Sequence, residues 1–138
     1  MLRFKNYRYF VRMLEVNNLS VGFVSNNQEN NAVKKISFRL KKNKILGIVG
    51  ESGSGKSVTS LALLGLLPKN AIIGGQILYD GENLLGISPK DFQKIRGKKI
   101  GMIFQEPMSS LNPTKTCGNQ VVEVLRQHTD LNKRAIYE

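Results

Sequence analysis

An eight-residue segment rich in glycine constrains this chain more than any other feature of its sequence. It reads Gly50-Glu-Ser-Gly-Ser-Gly-Lys-Ser57 and satisfies the P-loop pattern G-x-x-x-x-G-K-[ST]. The apolar run Ile45–Val49 comes directly before it and predicts a strand buried on both faces of a parallel sheet. Leucines at helical spacing follow as far as Leu67, and Pro68 ends their pattern. Strand, glycine loop and helix therefore stand in the order that a P-loop requires.

A loop of this kind suits a bound phosphate group. Glycine lets the backbone curl with its N–H groups pointing inward, and the positive end of the following helix dipole adds to the attraction. Lys56 would reach the β- and γ-phosphates of a nucleotide, and Ser57 would place its hydroxyl on Mg²⁺. The predicted nucleotide-binding residues are Gly50, Glu51, Ser52, Gly53, Ser54, Gly55, Lys56, Ser57 and Val58. The alternative is a glycine-rich turn without a ligand, which would not require a lysine and a hydroxyl after the last glycine.

Length and composition are those of an ordinary globular domain. The 138 residues are 41% hydrophobic and 22% charged, which permits one domain with a core of usual size. The single cysteine, Cys117, cannot build a disulfide framework, so a reducing compartment such as the cytoplasm is expected. The longest nearly apolar stretch, Leu61–Leu67, is too short to span a bilayer.

The formal net charge of +11 raises nucleic acid or an anionic membrane surface as partners. Four of the basic residues fall in the first twelve positions, and others occur as short lysine pairs at strand edges and in turns, where solvated lysines are common. We favour the solvated interpretation.

Strands are predicted on both sides of the P-loop. Leu14–Phe23 and Ala32–Leu40 would form an antiparallel hairpin arm around the Asn-rich loop Ser25–Asn31. Gln76–Gly81 predicts a strand that ends in an Asp-Gly turn.

The second half of the chain alternates short elements with loops. Ser88 is predicted to cap a short helix with Pro89 at its first position. Ile100–Phe104 predicts a further strand, Gln105–Thr116 a loop, and Gln120–Gln127 a helix. The apolar face of that helix would consist of Val121, Val124 and Leu125.

A second motif follows the P-loop by about fifty residues and reads Ile103-Phe-Gln-Glu-Pro-Met-Ser-Ser-Leu-Asn-Pro113. Together the two motifs closely resemble the ATPase subunits of bacterial oligopeptide, dipeptide and nickel importers, which belong to the ATP-binding cassette (ABC) superfamily. The resemblance runs from about Met13 to the end of the sequence. It implies an α/β fold of the ABC type of P-loop NTPase, with an N-terminal antiparallel β arm, part of a parallel core sheet and the start of a helical subdomain.

The resemblance also implies a function. It implies binding of ATP and Mg²⁺ by the energy-coupling subunit of a membrane importer for peptides or a related substrate such as nickel. The implied partners are a second ATPase subunit, two transmembrane permease subunits and an extracytoplasmic substrate-binding protein, and no nucleic acid is expected. The implied location is the cytoplasmic face of the inner (plasma) membrane, held there by the permeases.

Two further site residues come from the resemblance. Gln105 corresponds to the Q-loop glutamine, a catalytic position that contacts Mg²⁺ and the attacking water and couples to the membrane subunits. An uncharged amide can offer its oxygen to both, so a modest loop movement makes or breaks the contact. Phe23 falls where the family places an aromatic ring that stacks on adenine, although a phenylalanine at a strand end is often core.

Several motifs of the family are not in the sequence. The signature Leu-Ser-Gly-Gly-Gln, the Walker B aspartate with its catalytic glutamate, and the switch histidine are all missing. Hydrolysis is therefore implied only for the complete parent protein. His128 and Cys117 are interpreted as a surface residue and an inert thiol, and Glu106 follows the wrong strand to be the catalytic glutamate.

Residues 13–138 are accordingly predicted to be the N-terminal portion of one nucleotide-binding domain, and residues 1–12 a leader or extension outside the fold. Three alternatives stay open. They are a nonfunctional truncated fragment of such a gene, another P-loop NTPase or small kinase, and a basic nucleic-acid-binding module.

Overall fold

The computed structural model describes residues 14–25, 28–105 and 111–137. The chain divides into two compact units, Met1–Ile87 and Ser88–Glu138. The predicted extension at residues 1–12 and the position of Glu106 lie outside the described residues.

Within the described residues the first unit contains a sheet of four antiparallel strands. The strands are β1 (Leu14–Ser25), β2 (Gln28–Leu40), β3 (Ala71–Tyr79) and β4 (Glu82–Asn83), in the spatial order β2-β1-β3-β4. The predicted hairpin arm is confirmed, with a shorter loop than predicted because β2 begins at Gln28. The alternation of apolar and polar residues in β1 and β2 explains the pairing, since it gives the hairpin one face that can be buried.

The turn between β3 and β4 is the predicted Asp-Gly turn. Asp80 has a φ of 52° and Gly81 a φ of 85°. Both central residues of a type I′ hairpin turn need positive φ, which Asp and Gly tolerate better than other residues.

One side of the hairpin arm carries a β-bulge. Val33 pairs with Val21 and Ile36 with Leu19, so β2 advances three residues while β1 advances two. Lys35 lies in the bulge and has a φ of 49°. Because of the bulge both lysines between Val33 and Ile36 are exposed, although strict alternation would turn one of them inward.

Aliphatic side chains of the sheet form the core of the first unit. Val16 and Ile77 pair across β1 and β3, and both are fully buried together with Leu19, Val21 and Leu84. Burying a side chain of this size stabilises the fold by about 1.5–3 kcal/mol. Ala62 and Leu64, which follow the glycine loop, are buried as well.

Helix α1 (Lys56–Leu63) directly follows the glycine loop. It ends earlier than the predicted leucine pattern because Gly65 adopts a φ of 59°. The Gly65 N–H donates to the Ala62 carbonyl and the Leu66 N–H to the Leu61 carbonyl. This is the Schellman arrangement, so a glycine and not Pro68 ends the helix.

The prediction of a strand at Ile45–Val49 is wrong for this structure. The segment has no strand pairing, and Ile45 and Val49 are 101% and 93% exposed. A central strand of a parallel sheet needs a hydrogen-bonded neighbour on each side, and the described strands of this unit all pair antiparallel among themselves. The partial parallel core sheet is therefore not formed within the described residues, whereas the antiparallel arm is.

Three helices lie in the described part of the second unit: α2 (Pro89–Ile95), α3 (Cys117–His128) and α4 (Lys133–Tyr137). The predicted cap of α2 is confirmed, since the Ser88 hydroxyl accepts from the Asp91 N–H at 3.2 Å and Pro89 opens the helix.

The predicted strand at Ile100–Phe104 is also wrong. Only Ile100 takes part in strand-like pairing, as a single parallel bridge with Arg96, and Ile103 is 94% exposed. As with the segment before the P-loop, the described residues supply no neighbouring strand to complete the ladder.

The predicted helix at Gln120–Gln127 is confirmed as part of α3, but the apolar face that was predicted on it is largely exposed. Val121 and Val124 are 60% and 55% exposed, Leu125 is half-buried, and Val122 is the buried residue of this helix. Spacing alone identified an amphipathic helix, but within its unit α3 buries a different part of its surface. No helix of the described residues is long and apolar enough to cross a membrane.

Candidate functional site

The glycine loop leaves its backbone open to solvent. Gly53 and Gly55 have φ values of 78° and 87°, a region that favours glycine. The Ser54 N–H donates to the Glu51 carbonyl at 3.2 Å, which closes a turn inside the loop. Residues 50–54 are all exposed. The loop thus has the curled backbone that the P-loop pattern predicts.

Among the described residues no side chain caps the N-terminus of α1. Its N-cap residue is Gly55, which receives no capping hydrogen bond from those side chains, and the first turn contains no acidic residue. The first N–H groups of a helix have no partner within the helix, and the helix dipole makes that end positive. An anion is therefore the natural partner of this end.

The side chain of Lys56 folds back onto the glycine loop. Its ammonium group donates to the Gly50 carbonyl at 2.7 Å, to the Glu51 carbonyl at 2.6 Å and to the Ser54 hydroxyl at 3.3 Å. These neutral acceptors hold a positive charge at the loop without neutralising it. The lysine is thereby positioned where a phosphate group would meet both the ammonium and the helix N-terminus.

Close packing against β2 fixes the last loop residue. A Cβ atom at Gly55 would lie 2.5 Å from the Ala32 carbonyl oxygen and 3.1 Å from a Val33 methyl. The Gly55 carbonyl accepts from both the N–H of Thr59, at 2.8 Å, and its hydroxyl, at 2.9 Å, and Thr59 is only 2% exposed. Only glycine fits at this contact, so the loop cannot shift freely on the sheet.

A cavity of about 400 Å³ opens beside the loop. Its described wall consists of Asn31, Ala32, Val33, Lys34 and Ile36 of β2, of Ile48 and Val49, and of Ser54, Gly55, Lys56 and Thr59. This volume lies in the range of small-molecule sites. The described wall holds two lysines and no carboxylate, so it favours a ligand with negative charge.

The hydroxyl of Ser57 is the P-loop group that could bind Mg²⁺. Ser57 is exposed in the first turn of α1, and Val58 beside it is half-buried. Groups of three or more His, Cys, Asp or Glu side chains placed to hold a metal do not occur in the part of the chain that the structure describes. A P-loop binds Mg²⁺ through its serine or threonine together with phosphate oxygens, and Ser57 fits that arrangement.

The resemblance supplied two further site residues, Phe23 in the first unit and Gln105 in the second. Phe23 is half-buried near the end of β1, paired with Asn30 on β2 and Ala71 on β3, and it is not among the residues that line the cavity. Gln105 is an exposed residue of irregular structure in the second unit. Both roles stay predictions.

The sequence reasoning missed the β2 side of the cavity, namely Val33, Lys34 and Ile36. The available signal was the break in alternation at Val33-Lys-Lys-Ile36, which marks a β-bulge. The sequence predicts solvated lysine pairs, and Lys34 and Lys35 are indeed exposed, but Lys34 also lines the cavity.

A larger cavity, of about 560 Å³, lies in the second unit and carries none of the motif residues. Its described wall is formed by Lys115, Asn119, Val122, Glu123, Arg126 and Gln127. Lys115 and Glu123 form an ion pair across it at 2.7 Å. The hydrogen bond and the positive charge of Lys115 lower the pKa of the exposed Glu123 carboxyl. Size therefore does not distinguish the two cavities as candidate sites, whereas only the smaller one is lined by residues of the P-loop motif.

The glycine loop, the uncapped helix end and the lysine are the features of the P-loop class of nucleotide-binding domains. The sequence matches the ABC transporter family over residues 33–137, and the chain belongs to that family. The α/β class and the resemblance seen in the sequence are thereby confirmed.

Three similar proteins are ATP-binding proteins of oligopeptide or dipeptide transport. The oligopeptide transport ATP-binding protein OppD of Bacillus subtilis is 48% identical over 126 residues, covering 90% of this chain and 35% of that protein. The dipeptide transport ATP-binding protein DppD of Lactococcus lactis is 48% identical over 132 residues, covering 91% and 38%. OppD of Escherichia coli is 43% identical over 126 residues, covering 91% and 37%. The chain thus spans little more than a third of the length of these relatives.

Proposed function

We propose that this chain binds ATP with Mg²⁺ at Gly50–Val58 and belongs to the energy-coupling subunit of an importer for peptides. The observation that carries the proposal is the uncapped N-terminus of α1 with the Lys56 ammonium held beside it. The names of the relatives, which are ATP-binding proteins of oligopeptide and dipeptide transport, support the nucleotide and the substrate class. Nickel is the alternative substrate.

The loop residues would bind the phosphate chain of the nucleotide. The N–H groups of the loop and of the first helical turn would donate to phosphate oxygens. Lys56 would exchange its contacts with the Gly50 and Glu51 carbonyls for contacts with the β- and γ-phosphates. Ser57 would hold Mg²⁺, which supplies positive charge that neutralises the phosphates.

The uncharged half of the nucleotide would lie against the sheet. Val33, Ile36 and Ile48 give the cavity beside the loop an apolar wall suited to a ribose or a base. Phe23 on the neighbouring strand β1 would stack on adenine, a role that a ring can fill at low entropic cost.

Hydrolysis would belong to the complete protein. Gln105 would touch Mg²⁺ and the attacking water there, while the catalytic glutamate stands outside this sequence. We therefore expect the 138-residue chain to bind ATP without steady turnover. In the complete protein, Gln105→Ala should leave nucleotide affinity nearly intact and slow hydrolysis, because its contacts are made to water and metal.

The proposed assembly follows from the same relatives. A second ATPase subunit and two transmembrane permeases would hold the protein at the cytoplasmic face of the inner (plasma) membrane. An extracytoplasmic substrate-binding protein would act upstream.

Binding of a fluorescent ATP analogue to the purified chain at low micromolar concentration tests the proposal. Lys56→Ala should weaken binding about ten- to a hundredfold, because hydrogen bonds to charged groups contribute roughly 1.5–3 kcal/mol. Lys69→Ala, an exposed lysine that is not among the cavity residues, is the matched control and should leave affinity unchanged. Equal affinity of wild type and Lys56→Ala would rule out the P-loop site. A wild-type chain that binds no nucleotide would favour the alternative of a nonfunctional fragment.

A further inference from the structure

We propose that Lys34 is a second cation for the nucleotide, contacting the phosphate chain from the β2 side of the cavity. The inference rests on the proposed function, because it concerns a ligand of the same site. It adds a binding residue outside the P-loop motif.

Position is the first argument. Lys34 follows Val33, whose methyl lies at the packing contact with Gly55, the last residue of the glycine loop. Lys34 lines the same cavity as Lys56 and Ser54. The ammonium group of a lysine stands at the end of four flexible methylenes, so it can reach across such a cavity.

The bulge in β2 is the second argument. β2 contains one extra residue at the bulge, where Lys35 has a positive φ of 49°. Both Lys34 and Lys35 are exposed. Only Lys34 of this pair is among the residues that line the cavity. Bulges re-aim side chains next to functional sites, and at this bulge both lysines are exposed while Lys34 also lines the cavity.

Charge is the third argument. Within the described residues the Lys34 side chain makes no hydrogen bond and no ion pair, and the described cavity wall contains no carboxylate that could neutralise it. Two like charges on one wall repel each other unless an anion lies between them. A triphosphate is such an anion, and adenosine is not.

The expected effect is smaller than that of Lys56. Lys34 is exposed, and exposed ion pairs are screened by solvent and salt. Loss of its charge should weaken ATP binding about three- to fivefold at low salt, with a smaller factor at high salt.

The test compares two neighbouring lysines in the 138-residue chain. Lys34→Gln removes the charge on the cavity, and Lys35→Asn removes the adjacent charge with a residue that tolerates positive φ. Affinities for MgATP and for adenosine are measured at low and high salt, and circular dichroism verifies the fold of each variant. Lys34→Gln should lose affinity for MgATP and keep its affinity for adenosine, while Lys35→Asn should match wild type. Lys34→Arg, which keeps the positive charge, should retain most of the wild-type affinity for MgATP.

Three outcomes overturn the inference. Equal losses in Lys34→Gln and Lys35→Asn would mean that the general positive charge of β2 acts on the ligand. No loss in Lys34→Gln, in a chain whose ATP binding still depends on Lys56, would refute the role of Lys34 and leave the proposed function standing. A wild-type chain that does not bind MgATP would refute both.

Discussion

Adding one methyl group at Gly55 should damage the loop more than the same change at Gly53. Both residues have positive φ, 87° and 78°, so alanine costs roughly 1–2 kcal/mol at either position. At Gly55 the new Cβ would also meet the Ala32 carbonyl oxygen at 2.5 Å, whereas at Gly53 it would meet nothing within 4 Å. Overpacking of this kind typically costs a further 1–3 kcal/mol. We therefore expect about 2–5 kcal/mol for Gly55→Ala.

Urea denaturation followed by circular dichroism measures these costs, and binding of a fluorescent ATP analogue reports on the loop itself. Gly47→Ala is the reference, since Gly47 has no positive φ and open space around its Cβ position, and it should change stability by less than about 0.5 kcal/mol. The expected order of destabilisation is Gly55→Ala, then Gly53→Ala, then Gly47→Ala. If Gly55→Ala is no less stable than Gly53→Ala, the contact between the loop and β2 is not the constraint that we describe.

Three further predictions concern single contacts. Thr59→Val removes the buried hydroxyl that donates to the Gly55 carbonyl and should cost about 0.5–1.5 kcal/mol in urea denaturation; an unchanged midpoint contradicts this. The Lys94 ammonium lowers the pKa of Asp91 below 3.8, so this pair stabilises α2 above that pH and ceases to do so as the pH falls through the lowered pKa. Carboxyl NMR titration should show the shift, and Lys94→Ala should move the pKa back toward 3.8. Ile45→Lys, in the exposed apolar segment Ile45–Val49, should reduce concentration-dependent light scattering, and equal scattering would argue against association through this segment.

Features set by a few neighbouring residues could be predicted from the sequence. The glycine loop, the Asp80-Gly81 turn and the Ser88 cap each depend on the conformations that their own residues allow. The hairpin of β1 and β2 also followed from local signals, because the two strands are adjacent in the chain and their alternation matches.

Features that depend on distant partners could not be predicted. Ile45–Val49 has the composition of a buried strand, but a strand requires neighbours and the described residues provide none. The place of Lys34 on the cavity wall depends on the packing of β2 against the glycine loop, which is distant in the sequence. The end of α1 at Gly65 was available locally and was missed, because the leucine pattern continued past the glycine.

The most direct test of the central claim is an amide NMR map of the isotopically labelled chain titrated with MgATP. If phosphate binds at the N-terminus of α1, the largest shifts should fall on the amides of Gly53–Val58, with smaller ones on β2 near Lys34. Lys56→Ala should abolish them at the same nucleotide concentration. Shifts centred instead on the cavity of α3, around Lys115 and Arg126, would contradict the account, as would a spectrum that MgATP leaves unchanged.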